Sequence, residues 1–369
     1  MGPEHAHPQD RQKPAQSAFP PQEESGPTRP GLGGPIALTL GLLLLVFVAS
    51  LCTGNKPVSP SRAITALLNG ADSTEPVDVI VRTSRLPRSL LAIMVGGALA
   101  LAGGVTQALT RNPLGSPSVL GINHGASLAV VVTATFAAGG NWSQTGAAFA
   151  GATAAGALVL LITAGGRGTQ SVRPPANLSG DTSTDLAVAG FTLGTLFASI
   201  VQMILVLNEE SLEASRRWLA GSVGDVPTSV LWPTLPFILV GTAIACSLAR
   251  PLSLLATGEE VAQALGQHST RVKSLASLSV VLLAGSAVAA AGPISFVGFA
   301  VPHAARRLVS SQNPWSLPFT ALCGAVFLLL ADIFARVALH PRELPVGIMT
   351  ALVGGPVFII IARREKTPR

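Results

Sequence analysis

Residues Arg88 to Leu109 read RSLLAIMVGGALALAGGVTQAL, and this stretch decides the fold. It is 22 residues long and its only charge is its first residue. A helix needs about 20 mostly apolar residues, at about 1.5 Å each, to cross the hydrocarbon core of a bilayer. Gly96, Ala100, Gly104 and Ala108 fall four apart, so they share one helical face. Small residues at that spacing let membrane helices approach closely, where packing drives association. Ala147, Gly151 and Ala155 repeat the pattern. The stretch therefore reads as one span of a tight polytopic bundle.

Its neighbours extend the reading. Gly33–Cys52, Val119–Ala138, Gln144–Gly165, Leu186–Leu207, Val230–Arg250, Lys273–Ala291, Leu317–Leu339 and Leu344–Ala362 are also long and apolar. Pro293–Val301 is apolar but short, and as a span it brings the number to ten. The composition agrees. The 369-residue chain is 49% hydrophobic and only 11% charged, whereas soluble domains carry about 25% charged residues. Residues 1–32 differ, being rich in Pro, Gln, Glu and Ser. Such a stretch buries too little apolar area to fold and reads as a disordered cytoplasmic tail. Residues 33–369 then form one transmembrane domain.

Charge sets the orientation. With ten spans and a cytoplasmic N-terminus, 15 of the 24 basic residues fall in inner segments, which is the positive-inside bias. The net charge of +6 is thereby a membrane signal, not a nucleic-acid one: no basic helix is interleaved with stacking aromatics, and Tyr is absent. Cys52, Cys246 and Cys323 lie in or beside apolar segments without CxxC spacing, so neither a disulfide nor a metal site is expected. There is no GxxxxGK[ST] phosphate loop, no HExxH and no Ser-His-Asp pattern, so no catalytic residue is expected on this chain. An ion-driven secondary transporter would want acidic residues at mid-membrane, and the spans offer almost none except Asp332, near a helix end.

Nine basic residues fall outside against the bias, including Arg85, Arg88 and Arg336. Arg forms bidentate, charge-assisted bonds to carboxylates, so an acidic partner outside would account for them. Snorkelling to lipid headgroups, or an i,i+4 pair between Asp332 and Arg336, would account for them too. On the inner side, Glu259 to Ala264 reads as a short helix stopped by Leu265-Gly266, with a second short helix from His268 onward. Asn112-Pro113 and Pro117 break helical periodicity after the second span, which predicts a short, kinked third helix beside a pathway. Gln107, Asn123 and His124 are the polar candidates to line it, with Asn112 and Pro113 at the break.

Four segments carry a resemblance. They are Arg85-Leu86-Pro87-Arg88 running on to Gly103-Gly104-Val105-Thr106-Gln107; Arg111-Asn112-Pro113-Leu114-Gly115-Ser116-Pro117 with Gly121 and Gly125-Ala126; Gly258-Glu259-Glu260 with Ala262 and Leu265-Gly266; and Ala291 to Gly298 with Pro302-His303, Arg306, Ala331-Asp332 and Arg336. In this order and spacing, over residues 85–361, the chain resembles the FecCD family. These are permease subunits of ABC importers for ferric siderophores, haem and cobalamin, the cobalamin permease among them. Thr257, where a Leu often precedes the Gly-Glu pair, and His124 depart from the pattern.

The resemblance implies an all-α, polytopic bundle of about ten transmembrane helices, of the type II ABC importer kind, in the plasma membrane. It implies a homo- or heterodimer with a like subunit, cytoplasmic ATPase subunits, an extracytoplasmic substrate-binding protein, and lipid around the whole. ATP and Mg would sit on the partner ATPase, with no cofactor on this chain. Arg85, Arg88 and Arg336 would face acidic residues of the binding protein. Gly258, Glu259, Glu260, Ala262, Leu265 and Gly266 would form the hairpin that enters a groove on the ATPase. The cargo expected is a ferric siderophore or related iron chelate, with haem or cobalamin as the alternative.

Overall fold

The computed structural model describes residues 33–365 apart from 55, 70–72, 74, 137–140, 166–181, 225, 310–312 and 340–341. The N-terminal tail expected over residues 1–32 lies outside the described residues. Helix α1 (Gly33–Cys52) is followed by two short helices, α2 (Pro60–Leu68) and α3 (Pro76–Ile80). Helix α3 runs through a π-helical turn, Val81–Arg85, into α4 (Leu86–Thr110). Then come α5 (Ile122–Phe136), α6 (Asn141–Gly165), α7 (Thr182–Leu207), α8 (Glu209–Leu219), α9 (Leu231–Ser247) and α10 (Ala249–Ala256). The chain closes with α11 (Glu259–Ala264), α12 (Ser269–Ala291), α13 (Val297–Leu308), α14 (Ser316–Val337) and α15 (Val346–Glu365).

Helix α4 is the axis of the bundle. It packs on α14, α12, α13 and α9, while α5, α6 and α7 form a neighbouring group joined to it through α12. The most apolar window of α4 is 83% buried, against 17% in α1, whose Leu38, Leu44 and Leu45 point outward. In water that distribution would be untenable; against lipid tails it is what a bundle shows. The small-residue face foreseen on the second span is the contact. A Cβ on Gly96 would overlap the carbonyl oxygen of Gly324 on α14, and one on Gly324 would overlap that of Gly96.

Among the described residues, six helices are long and apolar enough to cross a membrane, or seven when α9 and α10, bent by 51°, count as one span. Ile122–Phe136 and Val346–Val357 are shorter apolar helices. With α13 they make up the about ten segments expected. The boundaries differ in four places. Residues 293–296 are not helical: α12 ends at Ala291 and is capped by Gly292 at φ +73, Phe296 stands at φ +68, and α13 starts only at Val297. The third span starts at Ile122, because Pro117–Leu120 is a 3-10 turn closed by Gly121 at φ +70. The break at Pro117–Gly121 precedes the helix. The second short helix of the hairpin does not exist as such, since Ser269 is already the first residue of α12. Finally, α3, the π-turn and α4 together span 35 residues, Pro76–Thr110. That is about 52 Å of helix against about 30 Å of hydrocarbon, so about two-fifths extends beyond it.

Candidate functional site

The bundle carries distinctive chemistry at its two ends. At one, α1 stops, α4 starts and α14 stops, so three helix termini meet. The carbonyls of the last turn of a helix lack intrahelical partners, and arginines supply them here. Arg85 donates from Nη1 to the Leu51 carbonyl at 2.7 Å and from Nη2 to that of Lys56. Arg336 donates from Nη1 to the carbonyls of Ser50 and Thr53, at 2.9 and 3.1 Å, and from Nη2 to Ser50 Oγ at 2.8 Å. Ser50 Oγ is in turn 2.7 Å from Ser89 Oγ on α4.

Asp332 joins these groups. Its carboxylate is fully buried and accepts from Arg88 Nε at 3.0 Å and Nη2 at 2.9 Å, from Arg336 Nε at 3.0 Å, and from Arg336 Nη2. The second contact is the i,i+4 pair that the spacing allowed. A carboxylate with no exposure is stable only when paired and hydrogen-bonded, and two guanidiniums meet that requirement. Arg88 Nη1 reaches a different group, Glu343 Oε2, at 2.5 Å. Arg85 and Arg336 are only 5% and 3% exposed, so neither extends to a headgroup layer. Beside the cluster is a cavity of about 270 Å³ lined by Thr53, Gly54, Lys56, Ile80, Ser84, Arg85, Arg88, Arg336 and Glu343. The three arginines singled out by charge thus converge. Glu343 and Gly224 were not foreseen; a Cβ on Gly224 would sit 2.9 Å from Arg88 Nη1.

At the other end, α10, α11 and the start of α12 form the hairpin. Gly258, at φ +140, precedes α11, whose first residues are Glu259 and Glu260. The helix stops by a paired C-terminal turn: Gln267 N–H donates to the Ala262 carbonyl and Gly266 N–H to that of Gln263, both at 2.9 Å. That Schellman geometry places Gly266 at φ +83, a backbone which glycine adopts without a Cβ penalty. Lys273 Nζ on α12 is 2.7 Å from Glu259 Oε2, and Gln267 Nε2 donates to the Pro251 carbonyl at 3.0 Å. Ala262 is buried against this frame, while Glu260, Val261 and Leu265 are exposed. Val261 and Leu265 are four apart and present an apolar strip that sequence reasoning missed in part, having noted Leu265 alone.

Comparison with known proteins places this arrangement. The model of the FecCD transport family matches residues 42–364. The chain belongs to the FecCD transport family. Among its FecCD relatives is the Fe(3+)-citrate import system permease protein YfmD of Bacillus subtilis, 39% identical over 78% of this chain and 82% of that protein. The ferric enterobactin transport system permease protein FepD of Escherichia coli is 37% identical over 90% of this chain and 98% of its own length. A chain of a metal-chelate-type ABC transporter solved in an inward-facing conformation superposes with a TM-score of 0.75 at 30% identity, covering 89% of this chain and 98% of that one. As a FecCD protein with these helices, the chain is a multi-pass membrane protein.

The FecCD bundle separates the polar residues expected along a pathway. Gln107 is buried and donates from Nε2 to the carbonyls of Gly298 and Phe299 at 3.4 and 3.2 Å, joining α4 to the start of α13. Its other face lines a cavity of about 340 Å³ with Arg111, Pro113 and Arg306. Asn112 accepts from the Leu114 N–H at 2.8 Å, which holds the turn after α4. Asn123 lines a different cavity of about 280 Å³ with Ser116, Ser118, Ser295 and Phe296. The left-handed backbone of Phe296 costs a non-glycine residue about 1–2 kcal/mol. His124 faces away, toward α7, where a Cβ on Gly194 would sit 2.9 Å from its Nδ1. Gln107, Asn123 and His124 therefore do not share one lining.

Proposed function

We propose that this chain is the membrane-spanning permease subunit of an ABC importer that moves a ferric siderophore or related iron chelate into the cytoplasm. The observation that carries the reading is the agreement among relatives: the similar proteins in two bacteria are named for ferric citrate, ferric enterobactin and iron(3+)-hydroxamate import. The chain would pair with a like subunit, as a homo- or heterodimer, with ATP and Mg held by partner ATPase subunits.

The two ends then take different partners. The arginine end is outer and receives the acidic face of a substrate-binding protein; Arg88, beside the cavity, is the contact, with Arg85 and Arg336 setting the shape and potential around it. The hairpin end is cytoplasmic and enters the ATPase, with Gly258, Glu259, Glu260, Ala262, Leu265 and Gly266 as its frame and the Val261–Leu265 strip as its apolar contact. Movement of α10 to α12 would pass to α4, which α12 packs against, and so to the cavities holding Asn123 and, on the inner side, Gln107 and Pro113, with Asn112 holding the turn beside them. His124, packed on α7, would act on helix contacts, not on cargo. This is alternating access, with no covalent chemistry on the chain.

The test is uptake of radiolabelled iron by a deletion strain, offered as ferric citrate, a ferric catecholate or a ferric hydroxamate, beside labelled haem and cobalamin. Loss of uptake of one ferric chelate, restored by the gene, is the expected result. Intact iron uptake with lost haem or cobalamin uptake overturns the cargo and leaves the importer.

A further inference from the structure

We propose that Glu343 is an exchangeable occupant of the outer cation cavity. It holds Arg88 while the permease is free and gives it up to a carboxylate of the docking binding protein. The inference rests on the docking reading above and assigns a regulatory residue to the same site.

The argument starts from the charges. Lys56, Arg85, Arg88 and Arg336 line the cavity together with Glu343, and Asp332 lies beneath it. Four cations therefore face two carboxylates, which leaves an excess that attracts acidic groups. The donors are not equally free to respond. Arg85 and Arg336 bond to backbone carbonyls, Ser50 and Asp332, all within the bundle. Arg88 Nε and Nη2 bond to Asp332, which has no exposure. Arg88 Nη1 differs, because its partner is Glu343, whose side chain is 36% exposed.

The location of Glu343 suits exchange. It lies outside any helix, between α14 and α15. Its backbone is pinned next door by the Leu344 N–H to Ala335 carbonyl bond at 3.0 Å. The main chain thus keeps the carboxylate within reach of Arg88, while the side chain can turn outward without disturbing a helix. Gly224 packs against the guanidinium with no side chain, where a Cβ would sit 2.9 Å from Nη1 and 3.0 Å from Cζ. An arriving carboxylate that pairs with Arg88 has one place to go, the position Glu343 occupies. Arg88 never has to be left unpaired in this exchange, because Asp332 keeps its other two nitrogens throughout. The free permease accordingly binds its partner more weakly than the cavity alone would, and release becomes easier after delivery.

A bond of purely structural value predicts the opposite sign, since its loss would loosen the site that the partner needs. The experiment uses the full permease–ATPase complex in lipid nanodiscs and measures the affinity and off-rate of its loaded binding protein, for wild type, E343Q, E343A, R88Q and R88Q/E343Q. Both Glu343 variants should tighten docking about threefold to tenfold, mainly through a slower off-rate, as expected for removing a half-exposed competing charge. R88Q should weaken docking, and adding E343Q to R88Q should change nothing further. If R88Q weakens docking while both Glu343 variants leave it unchanged or weaker, the exchange is wrong and the docking reading survives. If no variant alters docking, the docking reading fails and the exchange with it.

Discussion

The two ends of the bundle solve opposite problems with opposite chemistry. At the arginine end, charge is buried and shared among helices far apart in sequence: Arg88 and Asp332 are 244 residues apart, and Arg336 reaches Ser50 across 286. At the hairpin end, closure is local. Gly266, Gln267 and Lys273 bond to residues within 16 positions, and the outward face keeps Leu265 66% exposed. The first end therefore is part of what holds the bundle together, and the second is a rigid projection that the bundle tolerates. Side chains that look like recognition residues in sequence can also be structural when they lie at helix termini.

The sharpest way to break this contrast is Asp332→Ala. It leaves Arg88 and Arg336 buried without their shared carboxylate, and breaking a buried pair by removing one partner costs about 3–5 kcal/mol. A large fall in the thermal midpoint of the purified permease is expected; an unchanged midpoint would mean the cluster is not a fastener. Gly266→Val comes next. A β-branched residue at φ +83 costs about 1–2 kcal/mol locally and should misdirect the hairpin. The permease should insert and unfold at the usual temperature yet fail to copurify with, or be driven by, the ATPase. Normal ATP-driven uptake by that variant would remove the hairpin from the coupling path. The smallest effect expected is from Lys273→Ala. Its pair with Glu259 is part-exposed, so about 0.2–1 kcal/mol is at stake and added salt should reduce it. Hydrogen exchange over residues 259–264 reports it, with faster exchange than wild type at low salt only. Equal exchange at every salt concentration would leave the paired turn at Gly266 as the whole fastening.

Much of the fold was legible because membrane-spanning helices must be apolar along their length, whether they face lipid as α1 does or other helices as α4 does. Helix α13 was harder. Its second half carries His303, Arg306 and Arg307, so hydropathy marks only its first part, and the non-helical residues 293–296 look as apolar as the helix. Helix α8, rich in Glu and Arg, carries no hydropathy signal at all, and the segment between α7 and α9 reads from sequence as a loop. In the site, three arginines against the charge bias were visible in sequence. Glu343 and Gly224 were not, because nothing in a one-dimensional pattern pairs positions 88 and 343. A signal for Glu343 did exist: it is an acidic residue in the same outer segment as the surplus cations.

The Arg88–Asp332 contact also sets a clock on biosynthesis. A ribosome adding about 5–20 residues per second needs about 12–50 s to go from the first partner to the second. Throughout that interval Gly96 of α4 lacks its Gly324 neighbour and Arg88 lacks its carboxylate. Helix α1 waits longer still, since Ser50 meets Arg336 only 286 residues later. A chain cut short before residue 332 would present the membrane quality-control machinery with an unclosed groove and one stranded cation, Arg88.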